Sequence, residues 1–212
     1  MAVVRGLLRA VCRPDPIHAP ARVVTVYCDT PALQWLDEKV NSDYLKTKIR
    51  VRWYEPLDGR GPGGAVFVEC KYRVGATRHK VRVRSEEDAG DVARWPLERA
   101  DWRRLLDSLT IEGVDLPPDV GPVLRLAYVR ERFTDPMGDG RLTLDTEMTV
   151  QAVNSFRLRP GLAGRLPGAV VEYKGSAVEL PSHLRVIAHA GARKASFSKY
   201  LAAYTHITRA SF

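Results

Sequence analysis

Between Lys46 and Trp53 every even position is a cation, Lys46, Lys48, Arg50 and Arg52, whereas the odd positions Thr47, Ile49, Val51 and Trp53 are mostly apolar. An extended chain sends alternate side chains to opposite faces, so this spacing predicts a strand with one cationic and one apolar side. The same sorting separates Glu69, Lys71 and Arg73 from Val68, Cys70 and Tyr72, and Lys80, Arg82 and Arg84 from Val81 and Val83. It also separates Tyr128, Arg130 and Arg132 from Val129 and Phe133, Arg141 and Asp145 from Leu142 and Leu144, and Glu172 and Lys174 from Val171 and Tyr173. One such strand is what any half-solvated sheet shows. Six are another matter, because like charges across a ladder repel and sheet surfaces ordinarily mix signs. The chemistry implied is the grip of a polyanion. The carboxylates on that face, Glu69, Asp145 and Glu172, with Glu147 as a further candidate, either pair with the cations or hold a divalent metal through oxygen.

The elements that must position these residues follow from periodicity and punctuation. Val3 to Val11 has helical spacing and stops at Pro14 and Pro16; Arg22 to Asp29 is extended; Pro31 to Asn41 is helical. Lys46 to Glu55 turns through Asp58 to Gly64 into Ala65 to Val74, and a shorter strand at Lys80 to Arg84 follows Gly75. Glu86 to Leu109 has a helical pattern. Val123 to Phe133 and Arg141 to Val150 form a hairpin, Gly168 to Lys174 is a last strand, and Pro181 opens a helical C-terminus. The expected class is α+β: an antiparallel barrel or tunnel, cationic inside, with helices packed on its apolar outer face.

Composition narrows the partners. Across 212 residues, 33 Lys and Arg against 25 Asp and Glu leave a net charge of +8, which favours polyanions, and the length suits one domain spanning residues 1–212. Cys12, Cys28 and Cys70 lie far apart without a partner at metal-ligand spacing, so a reducing, cytoplasmic setting is expected. No apolar run reaches bilayer length, and Arg9 interrupts the leucines after Arg5 too early for a signal peptide. The phosphate-loop, zinc-protease and nucleophile-elbow motifs do not occur, and the five histidines are scattered singly. Trp35, Trp53, Trp95 and Trp102 read as packing residues.

The segments V-Y-C-D-T-P at Val26 to Pro31, K-I-R-V-R at Lys48 to Arg52, E-C-K-Y-R at Glu69 to Arg73 and Y-V-R at Tyr128 to Arg130 stand in order along the chain. They continue with R-L-T-L-D-T at Arg141 to Thr146, V-E-Y-K at Val171 to Lys174 and F-S-K-Y at Phe197 to Tyr200. In this order they resemble the VTC domain, the polyphosphate polymerase module of the triphosphate tunnel metalloenzyme superfamily. The resemblance implies that Arg50, Arg52, Lys71, Lys80, Arg130, Arg141 and Lys174 bind phosphates with Tyr128 beside them. Ser198 and Lys199 would close one tunnel end, and Glu172 would ligate Mn²⁺ or Mg²⁺. Arg50, Arg52, Lys71, Arg130 and Lys199 are the implied catalytic set. The chain departs from the family in lacking the opening R-x-E-x-K strand.

The leading expectation is therefore a metal-dependent polyphosphate polymerase that moves the γ-phosphate of ATP onto a growing polyphosphate chain, a phosphotransferase. A non-catalytic polyphosphate- or triphosphate-binding module and a tripolyphosphatase or nucleoside triphosphatase are the alternatives. ATP or another triphosphate and polyphosphate are the expected partners, with possible association with a membrane subunit. Nucleic acid is not expected, because the cations interleave with apolar residues inside strands instead of forming an exposed platform. Lys71→Ala and Arg130→Ala are both expected to weaken phosphate binding with little effect on folding.

Overall fold

The computed structural model describes residues 2–41, 44–159, 164–176 and 179–209. In chain order these form α1 (Ala2–Val11), β1 (Arg13–Pro14), β2 (Ala21–Asp29), α2 (Gln34–Val40), β3 (Leu45–Pro56), β4 (Ala65–Val74), β5 (Thr77–Asp88), α3 (Ala89–Val92) and α4 (Trp102–Ile111). They continue with β6 (Gly121–Thr134), β7 (Arg141–Val153), β8 (Gly164–Arg165), β9 (Val170–Lys174), a 3₁₀ turn at Ser182–Arg185, α5 (Val186–His189) and α6 (Lys199–Thr208). The nine strands make one antiparallel sheet in the order β5-β4-β3-β2-β6-β7-β8, with β1 on β6 and β9 beside β8 on β7. The class is α+β, as the pattern of residues predicts. Among the described residues the ladder does not close on itself: β5 is one edge, and β8 with β9 form the other.

Alternation along β3 and β4 places Ile49, Val51, Trp53, Val66, Val68 and Cys70 on the convex face, where they pack with Val24, Val26 and Cys28 of β2. Helix α4 covers them. Its Trp102, Leu105, Leu106 and Leu109, spaced three and four apart, form one buried stripe. Further along the same face α1 and α5 cover Phe133, Leu142 and Leu144 through Leu8 and Ile187. All four tryptophans lie in the α4-side core.

The concave face divides in two. Its β2–β6–β7 part carries Val23, Tyr27, Leu124, Leu126, Met148 and Val150, and α2 and α6 pack there through Leu36, Tyr200, Ala203 and Ile207. Helix α6 therefore lies on the concave side while α4 lies on the convex side. The remainder of the concave face is cationic.

The largest departures from the expected elements are at β5 and α4. Strand β5 runs to Asp88, through residues whose charge resembles a helix surface. It is an edge strand with one solvated side, so acidic residues are tolerated there, and Asp88 then caps α3 by accepting a hydrogen bond from the Gly90 amide at 2.7 Å. Helix α4 starts only at Trp102, after the turns around Pro96. Strand β7 keeps its alternation to Asp145 and then meets a register shift between Val129 and Ala127 of β6. Glu147 sits in that shift at φ 54°, exposed. It is turned to solvent while Asp145 is buried against Arg130 and Lys199, so the simple alternation that made it a metal candidate fails at the bulge.

Candidate functional site

The curled sheet encloses a cavity of about 950 Å³ lined by β3, β4, β5, β6, β7, β9 and the start of α6. Eleven cations face it: Lys48, Arg50, Arg52, Lys71, Lys80, Arg82, Arg130, Arg132, Arg141, Lys174 and Lys199. Among its lining residues the carboxylates are Asp15, Glu69 and Glu172, which leaves an excess of eight positive charges. Ten of the residues expected from sequence meet here: Arg50, Arg52, Lys71, Lys80, Tyr128, Arg130, Arg141, Lys174, Lys199 and Glu172. The eleventh, Ser198, caps α6 immediately before Lys199 and accepts a hydrogen bond from Lys48 Nζ at 3.4 Å. Lys46, Arg73 and Arg84 share the parity of these residues but lie beyond the cavity lining.

Two buried carboxylates organise the cations. Glu69, 3% exposed, accepts from Arg50 Nε at 2.7 Å, and Arg52, Lys80 and Arg82 stand 3.9, 3.6 and 3.4 Å from its oxygens. Burial pushes the Glu69 carboxyl up, but Arg50 and Arg52 outweigh it and hold the group at about 2. Asp145, fully buried, accepts a bidentate pair from Arg130 at 2.6 and 2.7 Å and a further bond from Lys199 Nζ at 2.7 Å. Burial opposes ionisation there too, and Arg130 with Lys199 reverses it, leaving the carboxyl below its ordinary value. Both acids act as anchors that aim the cations. Arg130 is thereby part of the folded architecture, which goes against the expectation that Arg130→Ala has little effect on folding.

The surplus charge shows at the lysines. Burial, then Arg50, Lys39, Lys199 and Lys71, press Lys48 down to about 8. Partial burial followed by Arg50 and Lys174 does the same to Lys71, also to about 8. Two ammonium groups pushed toward neutrality by burial and by other cations mark a place where an anion is wanted. Arg52 is fixed in position, donating from Nε to Thr25 Oγ1 and from Nη2 to Tyr128 Oη, both at 3.1 Å. The stacking of Tyr27 on Tyr200, 5.0 Å between centroids, holds α6 so that Lys199 enters the cavity. Tyr200 also donates to the buried Asp29 at 3.1 Å.

For a divalent metal, Glu172 is the carboxylate on the cavity wall least engaged among the described residues. Glu69 and Asp145 are saturated by cations and Asp15 accepts from the Ile17 and His18 amides, whereas Glu172 is exposed with Lys174, 3.4 Å away, as its ion-pair partner. Among the described residues no group of three His, Cys, Asp or Glu side chains is placed to hold a metal by itself. A hard cation that binds through one carboxylate and phosphate oxygens is compatible with that donor set.

Face sorting put Lys48, Arg82 and Arg132 on the cationic side but the resemblance gave them no role, and Tyr54 and Phe67 were assigned to neither; all five line the cavity. Their parity was the available signal, since Tyr54 continues the even series of β3 and Phe67 the odd series of β4. Tyr72 has the opposite parity and stacks on His79 at 4.7 Å, against the convex core.

Comparison with known proteins adds the following. A family model described as the VTC domain matches residues 10–208. None of the curated proteins compared matches the chain. Among solved structures, the PH1819 protein from Pyrococcus horikoshii OT3 is similar over 96% of this chain and 91% of its own, at 16% identity and a TM-score of 0.46. A putative adenylyl cyclase from Hippeastrum, HpAC1, described as having a dominant triphosphatase activity, is similar over 90% of this chain and 80% of its own, at 14% identity and a TM-score of 0.37. No helix among the described residues is long and apolar enough to cross a membrane.

Proposed function

Because the chain belongs to the VTC domain family, we propose that it is a polyphosphate polymerase in which the terminal oxygen of a polyphosphate chain attacks the γ-phosphorus of ATP and ADP departs. The observation that carries this reading is the excess of eight positive charges turned inward around one cavity. Phosphoryl transfer requires little covalent help, so aligned cations that neutralise the equatorial oxygens and the leaving oxygen supply most of the acceleration.

In this reading Arg50, Arg52, Lys71 and Arg130 hold the triphosphate, Lys80, Arg141 and Lys174 hold neighbouring phosphates, and Lys199 with Ser198 orients the reacting end. Tyr128 fixes Arg52 against the chain. The attacking chain end is already an oxyanion near neutral pH, so no general base is required, in keeping with Glu69 and Asp145 being fully engaged by cations. Glu172 would hold Mn²⁺ or Mg²⁺ together with phosphate oxygens. When bound, that ion supplies further neutralisation of the bridging oxygens.

ATP as donor and three free, buried cysteines both suit a cytoplasmic setting, and association with a membrane-embedded subunit is compatible with it. Hydrolysis of a triphosphate is the second reading, favoured by the ladder, which among the described residues does not close on itself and leaves β5 and β9 as separate edges. Incubating the protein with ATP and Mn²⁺ and resolving the products on a gel separates the two. A ladder of polyphosphates is expected; inorganic phosphate without a ladder rejects polymerisation in favour of hydrolysis, and no turnover leaves a binding module.

A further inference from the structure

At one end of β3, β4 and β5 the rows of cross-strand partners change character from one residue to the next. The outermost row is Leu45, Val74 and Thr77, the next is Lys46, Arg73 and Arg78, and two rows further in stand Lys48, Lys71 and Lys80 of the cavity. Leu45 is 50% exposed and Val74 41%, and Tyr44, just ahead of β3, is 67% exposed. The Tyr44 ring lies over the β4–β5 turn. Gly75 donates its amide to the Tyr44 carbonyl at 3.3 Å, and a Cβ at Gly75 would stand 2.6 Å from Tyr44 Oη. Three apolar side chains thus share one tip, unlike the singly scattered apolar residues of an ordinary surface.

Behind the tip the charge is positive. Lys46, Arg73 and Arg78 stand side by side across the strands, and Lys39 of α2 joins them. Burial and then Lys46 and Arg73 hold the Lys39 ammonium below its ordinary value, and it donates to Ser196 Oγ at 2.8 Å. The neighbouring carboxylate, Glu38, is turned to the Thr47 amide at 2.7 Å.

An inorganic anion gains nothing from the apolar tip, and a purely apolar partner gains nothing from the cations. The surface of an anionic bilayer uses both, because its acyl boundary takes up apolar side chains while its headgroups meet Lys and Arg. Tyr suits that boundary, having an apolar body and a polar end, and so do the long stems of the cations. Tyr44, Leu45 and Val74 line no part of the cationic cavity. A projecting tip enters a fluid lipid boundary, whereas a folded partner needs a hollow shaped to receive it.

We propose that the tip of Tyr44, Leu45 and Val74, with its collar of Lys39, Lys46, Arg73 and Arg78, is a peripheral docking surface for anionic lipid headgroups. The contact is reversible, since so small an apolar area beside a few charges falls short of an anchor. It is independent of the phosphate chemistry proposed for the cavity.

Co-sedimentation with sucrose-loaded vesicles tests the assignment. The partition of the whole chain is measured on phosphatidylcholine alone and on phosphatidylcholine mixed with phosphatidylserine, at low and high salt. Binding is expected on the mixed vesicles only, weakening as salt rises. Removing the tip with the double variant Tyr44→Ser/Leu45→Ser should lower that partition about tenfold, and Lys46→Gln about fivefold. Lys71→Ala, which takes a cation from the cavity, should leave it unchanged. Melting temperatures equal to that of the unmodified chain certify the folds; if the double variant does not fold, Val74→Thr, which keeps strand propensity, should lower partition about threefold. Equal binding to both vesicle types, or none to the mixed ones, overturns the proposal. So does a loss in Lys71→Ala as large as in Lys46→Gln, which would place the attraction in the cavity. Tip variants that keep their partition but lose a dimer seen by light scattering would assign the tip to a protein contact and overturn it as well.

Discussion

Lys71 and Arg130 share one cavity wall chemistry yet answer to different forces. Lys71 is pressed toward neutrality by burial and then by Arg50 and Lys174, which outweigh the opposing pull of Glu69, whereas Arg130 holds a fully buried carboxylate by two short bonds. Lys71→Ala should weaken tripolyphosphate binding by about 1.5–3 kcal/mol, as for a charge-assisted hydrogen bond, and leave the melting temperature of the ligand-free protein unchanged or higher. Arg130→Ala strips Asp145 of its main partner and should cost about 3–5 kcal/mol of stability before any ligand is added. Calorimetric melting of both variants, with and without tripolyphosphate, checks the contrast; equal melting temperatures would contradict it. The two depressed lysines also set a pH dependence. From an ordinary 10.5 down to about 8, Lys48 and Lys71 bind fewer protons in the folded chain than in the unfolded one between those values. Their contribution to the stability of the ligand-free protein therefore rises with pH across that window, while anion affinity falls as they lose charge. Binding of tripolyphosphate above about pH 8 should take up protons, visible as a dependence of the binding enthalpy on the buffer's ionisation enthalpy. A buffer-independent enthalpy would contradict the assignment. Parity sorted the strand residues by face but not how far along each strand the cavity runs, since Lys46, Arg73 and Arg84 fall outside it; nor did it show which cations Glu69 or Asp145 hold, because those partners lie across the sheet and not along the chain.

At the scale of elements, β3 and β4 were read from sequence almost to their ends because strict alternation leaves no competing period. Strand β5 was cut short since its acidic end is solvated, and the two-residue strands β1 and β8 carry too few residues to show a pattern. Helix α6 is the element that shapes the site most while announcing itself least. It is held by Tyr200, which reaches Asp29, and Asp29 also accepts the Thr30, Trp35 and Leu36 amides at 2.8, 3.1 and 3.1 Å. One carboxylate thus ties the start of α2 to α6, 171 residues away. Tyr200→Phe keeps the ring stacked on Tyr27 and removes only the hydroxyl, leaving Asp29 short of one partner. It should cost about 1–3 kcal/mol of stability and weaken tripolyphosphate binding through the displacement of Lys199. Denaturant melts and titration calorimetry measure both effects; a stability loss with unaltered affinity would show that α6 does not position the lysine.

On the scale of the whole molecule, the formal net charge is +8, and the cavity lining alone carries an excess of eight. The outer surface is accordingly near balance, and the protein's basicity belongs to one concave face. Composition showed the excess; it could not show that the sheet curls, since curvature arises from twist and from how α4 and α6 pack on opposite faces. Such concentrated charge is self-repulsive without a counter-ion, which places the anion at the centre of the account. A crystal structure of the protein grown with tripolyphosphate and Mn²⁺ examines this most directly. The account predicts a phosphate chain inside the cavity, within hydrogen-bond distance of Arg50, Arg52, Lys71 and Arg130. Tripolyphosphate bound only on the convex surface, or a cavity left without it at saturating concentration, would contradict it.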